Sequence, residues 1–328
     1  MSRAKLDPHK FVRRIPLAPH QMLDRLTGIE DTIVLCHLGV PRIERDAWSL
    51  AIDGLVTHPR VLSFADLMRY EKVSLTSVHQ CAGNPLRPTE PTQRVCNVTW
   101  AGARLSDMLA DCRPHPMAKF VWSTGADYGD FDGLSVDAYV KDLPLDRAPS
   151  EVLVCYEMNG APLNAEHGFP ARLVVPGFYG TNSVKWLTRL TLAAERASGP
   201  FTTRWYNDYV EDAASGAAVP VWAIAPQSVI VAPAPDATIS VSKPIEIWGW
   251  AWADGGVCQV DVSVRAGNWQ VARLEPAMGR AWQRFTLSWT PIECEAAMLS
   301  SRATAVNGQY QPASGRRNAL YCVPINII

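Results

Sequence analysis

Among its eight cysteines the sequence has no C-x-x-C pair, the spacing that marks zinc ribbons and thioredoxin-type redox centres. A chain of 328 residues needs no disulfide staples. An excess of charge of one sign is missing as well. The 31 basic and 32 acidic residues leave a formal net charge of -1, so no global field draws the chain to nucleic acid or to an anionic membrane. The longest uncharged stretch, residues 213–235, carries Pro220, Pro226, Pro233 and Pro235. That proline density excludes a membrane helix and reads as an extended connector or edge strand. The opening residues, MSRAKLDPHKFVRRIPLAP, contain no apolar signal core, and Arg13-Arg14 lacks the apolar run of a twin-arginine signal. The expected compartment is therefore the cytoplasm as written, or the periplasm if a signal has been removed. There is no G-x-x-x-x-G-K-[ST], no G-x-G-x-x-G and no G-x-S-x-G. Standard nucleotide loops and the serine-hydrolase elbow lose their support.

What is present is ample core material, with 48% apolar residues. The length suggests roughly two domains of about 150 residues. Trp48, Leu50 and Ile52 alternate as in a half-buried strand. Ser63 with Asp66 predicts a capped short helix, and further short helices are expected from Ser106 and from Ser135. Residues 151–163 read as a strand ending in an Asn159-Gly160 turn. Strands and short helices mix without a strict βαβ repeat, so an α+β fold is expected for residues 1–225. From about residue 236 strand-like runs alternate with Gly, Asn and Pro turns and helical periodicity is absent. Residues 226–328 are thus expected to form an all-β, immunoglobulin-like sandwich.

Three clusters carry candidate chemistry. In SVHQCAGN, residues 77–84, an alternating run ends at Cys81 just before a glycine turn. A thiolate binds transition metals well, although Cys81 with His79 lacks the further ligands of a zinc site. In residues 166–187, His167, Arg172, Asn182, Ser183 and Lys185 fall in a Gly- and Pro-rich segment. Backbone N–H groups together with Arg and Lys suit an anion. In RWYNDYVED, residues 204–212, Tyr206 and Tyr209 flank Asp208, which could set a phenol beside a carboxylate. Against these stand plainer readings: a packing thiol, a solvated loop and an aromatic patch.

Taken in order along the chain, the clusters resemble the sulfite oxidase family of molybdenum–molybdopterin oxidoreductases. The resemblance rests on CAGN at 81–84, WAGARL at 100–105, YEMNGAPLNAEHGFPARLVVPGFYGTNSVKWL at 156–187, NDY at 207–209 and GWAWADGG from 249. It implies that Cys81 is the protein ligand of molybdenum. It implies that His37, His167, Arg172, Asn182, Ser183 and Lys185 bind the molybdopterin cofactor, and that Tyr209 is a catalytic phenol near the metal. It implies oxygen-atom transfer and a C-terminal domain that forms a homodimer.

Two positions depart from the family's sulfite-oxidising pattern. Leu35 stands two residues before His37, and Leu86 two residues after Asn84, where arginines are expected. A less anionic or bulkier sulfur-containing substrate is therefore expected. Arg87, Asp208 and Arg280 are further candidates for the substrate shell. No haem-attachment C-x-x-C-H is present, so an external electron carrier, a cytochrome or a quinone, is expected. An S-oxide or N-oxide reductase and a non-catalytic protein that keeps the fold are the alternatives.

Overall fold

The structure, a computed structural model, describes residues 4–7, 12–14, 17–85, 87–149, 151–209, 218–265 and 267–328. By packing, the chain forms two compact units. The first comprises Met1–Arg14, Val34–Leu75 and Thr99–Trp222; the second comprises Ile15–Ile33, Thr76–Val98 and Ala223–Ile328. The expected division at 225/226 follows chain order, whereas the units interleave. Residues 15–33 stay with the C-terminal segment through bonds such as Trp250 Nε1 to the Met22 carbonyl, 2.7 Å.

The first unit is built on a five-stranded sheet ordered Val140–Pro144, Phe120–Gly125, Leu187–Ala193, Ser49–Gly54 and Arg60–Ser63. Leu187–Ala193 runs parallel to Ser49–Gly54, and the other pairs are antiparallel. Leu50 and Ile52 are fully buried, as their alternation predicts; each such side chain contributes about 2 kcal/mol of transfer free energy. In a second layer Leu153–Met158 lies between Arg172–Val174 and the end of Val95–Arg104. Helix Leu105–Cys112 buries Leu105, Met108, Leu109 and Cys112 against the same core, the i, i+3, i+4, i+7 stripe of a half-buried helix.

The local signals fared unevenly. Ser63 accepts from the Asp66 N–H and Asp66 caps back, so the box is formed. Asn159 and Gly160 both have positive φ, 50° and 79°, and join Met158 to Ala161 in the expected hairpin. The helix expected to be capped at Ser106 starts two residues earlier, at Leu105, with Arg104 as its N-cap and no side-chain cap. The helix expected from Ser135 does not form. Asp132 and Gly133, with φ of 49° and 76°, close a tight hairpin between Gly129–Phe131 and Leu134–Val136, a turn type that matches strand twist. Val140–Pro144 then pairs along Phe120–Thr124.

The second unit packs two sheets over one core. The four-stranded sheet is ordered Gln227–Ala232, Ile245–Trp252, Gln283–Trp289, Arg273–Leu274. The five-stranded sheet is ordered Ala237–Ile239, Cys322–Ile327, Ala296–Ala305, Val257–Arg265, Asn268–Val271. Ile247 and Phe285 from the first sheet meet Val260, Leu299 and Val323 from the second. No helix occurs among the described residues of 223–328, as the absent 3.6 period requires. Within the proline-rich stretch, Gln227–Ala232 is an edge strand. No helix among the described residues is long and apolar enough to cross a membrane.

Candidate active site

The candidate residues divide between the two units. Cys81, Arg87 and Arg280 belong to the second unit; Leu35, His37, His167, Arg172, Asn182, Ser183, Lys185, Asp208 and Tyr209 belong to the first. Leu86 lies outside the described residues.

Strand Lys72–Gln80 ends one residue before Cys81. The Cys81 N–H donates to the Arg94 carbonyl at 2.9 Å, and the Gly83 N–H donates to Cys81 Sγ at 3.2 Å. A side chain at residue 83 would put its Cβ 2.6 Å from Arg94 Nη1, so glycine is what lets the guanidinium fold over the turn. Arg94 Nη1 donates to the Gly83 carbonyl and Arg317 Nε to the Ala82 carbonyl, at 3.2 and 2.9 Å. Burial pushes the Cys81 thiol up; the Gly83 N–H, Arg94 and Arg317 oppose it by favouring the thiolate. Neither arginine was singled out from the sequence, because nothing periodic links residues 94 or 317 to residue 81. A cavity of about 610 Å³ beside the turn is lined by Gly83, Asn84, Arg87, Glu90 and Arg94 among others. Arg87 is exposed and faces Glu90 at 4.0 Å. Arg280 reaches Asp254 at 3.5 Å, and its carbonyl accepts from the Val78 N–H, on the strand that leads into Cys81.

In the first unit the segment 165–187 is folded on itself. Asn164 caps the turn Ala165–His167 by accepting from the His167 N–H. Arg172 is buried, donates to the His167 and Ser183 carbonyls at 3.1 and 2.9 Å, and lies 4.8 Å over the Trp100 ring. The Ser183 hydroxyl accepts from the Val175 N–H. Asn182 donates to the Tyr179 and Val221 carbonyls, while its buried Oδ1 has no partner among the described residues. Lys185 Nζ donates to the Leu35 and Glu166 carbonyls at 2.8 and 2.9 Å and to Cys36 Sγ at 3.3 Å. Burial pushes its ammonium down. Lys185 thus draws Leu35, Cys36 and residue 166 together, and Arg172 draws His167 to Ser183.

His37 sits in an aromatic shell of Phe131, Tyr139 and Phe201, with ring centroids 5.0 to 5.3 Å away. Its Nε2 meets the Tyr206 hydroxyl at 2.5 Å. Burial, then Lys185 and Lys141, lowers its pKa to about 3, so the imidazole is neutral at ordinary pH. Asp127, also buried, is pushed up to about 7 by burial against the opposing pull of Lys185. Asp208 and Tyr209 lie on strand Asn207–Tyr209, which pairs with Ala218–Pro220. The Tyr209 side chain lies outside the described ones; the Tyr206 phenol, on a residue with φ 60°, meets His37.

Known proteins bear on this arrangement. A family described as an oxidoreductase molybdopterin binding domain matches residues 37–201, and one described as a Mo-co oxidoreductase dimerisation domain matches residues 219–320. Mitochondrial sulfite oxidase of Homo sapiens is 34% identical over 307 residues, 84% of this chain and 54% of that protein. Sulfite oxidase of Arabidopsis thaliana is 29% identical over 303 residues, 82% of this chain and 76% of that protein. The crystal structure of the sulfane dehydrogenase SoxCD from Paracoccus pantotrophus superposes with a TM-score of 0.80 at 29% identity. That match covers 92% of this chain and 82% of the solved one. The chain spans about half the length of the mammalian relatives it matches.

Proposed function

The chain belongs to the sulfite oxidase family of molybdenum–molybdopterin oxidoreductases, and from that membership we propose that it oxidises a sulfane-type sulfur compound less anionic than sulfite. Its residues fit the family's cofactor. Cys81 is a free thiol, held at a turn by an N–H donor and two guanidinium groups that favour the thiolate. Asn182 keeps a buried carbonyl oxygen without a partner among the described residues, which an N–H group of a pterin would satisfy. Lys185 and Arg172 are buried cations bonded to carbonyls, an environment suited to a phosphate. Cys81 would hold the metal, and His37, His167, Arg172, Asn182, Ser183 and Lys185 the pterin.

When bound, the molybdenum cofactor supplies two-electron oxygen-atom transfer. The chain's own groups bind and orient. Neutral His37 has one donor and one acceptor nitrogen, and its contact with Tyr206 fixes the ring. Tyr209 is proposed as the active-site phenol on the strength of NDY. An external electron carrier, an immunoglobulin-like C-terminal topology and homodimerisation through residues 219–320 complete the proposal.

The observation that carries the substrate reading is Leu35. Its carbonyl receives Lys185, so its Cα stands beside the cofactor lysine, and its side chain brings no charge. A dianion held there without a matching cation would carry a penalty of several kcal/mol. The sulfane substrate, and the oxidising direction over an oxide reductase, are supported by the likeness to the solved sulfane dehydrogenase. The test is kcat/KM for sulfite and for an alkyl persulfide, which carries at most one negative charge, with an artificial acceptor. Preference for a sulfane compound is expected. Rapid sulfite turnover at a low-micromolar KM, with no sulfane oxidation, would reject the reading.

A further inference from the structure

We propose that Gln227 and Asn318, which lie in the dimerisation segment, are positioning residues for Cys81. This rests on the reading of Cys81 as the metal ligand. The thiol has a strand on one side and an irregular turn on the other, so something outside the turn must fix it. A cluster of four buried amides does so. Gln227 Oε1 accepts from Gln80 Nε2 at 2.6 Å and from Asn84 Nδ2 at 2.7 Å. Asn318 Oδ1 accepts from the same two groups at 2.9 and 2.8 Å. Gln80 immediately precedes Cys81 and Asn84 follows it by three, so each acceptor ties the entry of the turn to its exit.

The two acceptors are themselves fixed. Gln227 Nε2 donates to Thr92 Oγ1, two residues before the Arg94 whose carbonyl receives the Cys81 N–H. Asn318 Nδ2 donates to the Ala225 carbonyl, and Trp252 Nε1 donates to Gln80 Oε1 at 2.9 Å. Gln80 and Asn318 are fully buried, and Gln227 nearly so. Asn318 adopts φ 63°, a conformation asparagine tolerates and most side chains do not. Gln80, Gln227 and Asn318 have both ends of their amides bonded; buried amides satisfied in this way are rigid, and a metal ligand held by such a shell is preorganised. In this arrangement the C-terminal segment does more than pair subunits: it sets the direction of the Cys81 Cα–Cβ bond.

The experiment uses the full chain with Gln227→Met and with Asn318→Gly, which keeps the backbone conformation. Gln283→Met is the control. It is another buried amide of the same unit, with bonds to the Val257 N–H and the Glu275 carbonyl. In cofactor-free protein, iodoacetamide labelling of Cys81 is followed by peptide mass mapping, beside thermal unfolding. In protein loaded with molybdenum, the sulfur-to-metal absorption band is recorded. Severalfold faster Cys81 labelling and a shifted band in both brace variants are expected, with Gln283→Met changing only the thermal midpoint. Wild-type labelling in the brace variants overturns the inference, as does equal acceleration by Gln283→Met. Absence of molybdenum from wild type would reject the ligand reading alone, since the cofactor-free labelling reads the brace without it.

Discussion

Lys185 and Leu35 are 150 residues apart in sequence, yet Lys185 Nζ donates to the Leu35 carbonyl at 2.8 Å. The bond is made to backbone, so it survives any side chain at residue 35. The lysine proposed to hold the cofactor and the proposed substrate position are thereby locked in register. Leu35 is also two residues from His37, whose ring Lys185 helps to keep neutral.

That register makes Leu35→Arg a direct test of substrate choice. The guanidinium would start from a fixed Cα and supply the counter-charge that sulfite needs. A charge-assisted hydrogen bond contributes about 1.5–3 kcal/mol, so kcat/KM for sulfite should rise roughly tenfold or more. Turnover of a neutral sulfane should fall or stay level. Parallel steady-state kinetics on the two substrates check this; an unchanged ratio would show that residue 35 does not select between them.

Two of the perturbed groups of the first unit, His37 and Asp127, pull stability in opposite directions with pH. His37 titrates near 6.5 when unfolded and near 3 when folded. Between those values the unfolded chain binds more protons, so this contribution is lost as pH falls through the window. Asp127 titrates near 3.8 unfolded and about 7 folded, so its contribution is lost as pH rises through that range. His37→Gln should therefore flatten the acid side of the thermal-midpoint profile of the cofactor-free chain. Asp127→Asn should raise the midpoint most at and above pH 7. Scanning calorimetry from pH 4 to 8 reads both.

Short-range signals carried much of this in the sequence, and long-range ones did not. The Ser63–Asp66 cap, the Asn159-Gly160 turn and the thiol at a strand end each depend on residues within a few positions, and all three form. The helix expected from Ser135 failed because Asp132-Gly133 makes a hairpin just upstream, and strand pairing then outweighed a possible cap. The partners of the Cys81 turn come from far along the chain, with Arg317 separated from Ala82 by 235 residues. Tyr206 was visible as an aromatic, but its contact with His37 depends on a positive φ and a chain separation of 169 residues.

Gly102 should be irreplaceable. It pairs with Cys155 between adjacent strands, and an added Cβ would fall well inside van der Waals contact distance of the Val154 carbonyl oxygen and 2.6 Å from Cys155 Cα. Both obstacles are backbone in a sheet that also positions Arg172, so neither can swing aside. Overpacking of this kind costs about 3 kcal/mol or more. Gly102→Ala should lower the denaturant midpoint accordingly and reduce molybdenum retention, whereas Gly160→Ala, with open space around its Cβ, should be limited to the strain of its positive φ.

Cys81→Ser tests the centre of the proposal. The substitution nearly preserves shape, so the turn, the Gly83 N–H and both arginines can stay in place. It changes the donor chemistry: a hydroxyl is far less acidic than a thiol and a poorer partner for this metal. In a host that makes the pterin, wild type should carry close to one molybdenum per chain by elemental mass spectrometry and show a sulfur-to-metal absorption band. The variant should lose the band and most of its activity, with its thermal midpoint as apoprotein close to wild type. Because the residues proposed to bind the pterin lie in the first unit and the thiol in the second, pterin retention and metal coordination should separate. The variant should keep measurable pterin fluorescence after denaturation while its metal content drops. An intact band in Cys81→Ser would assign the metal ligand elsewhere.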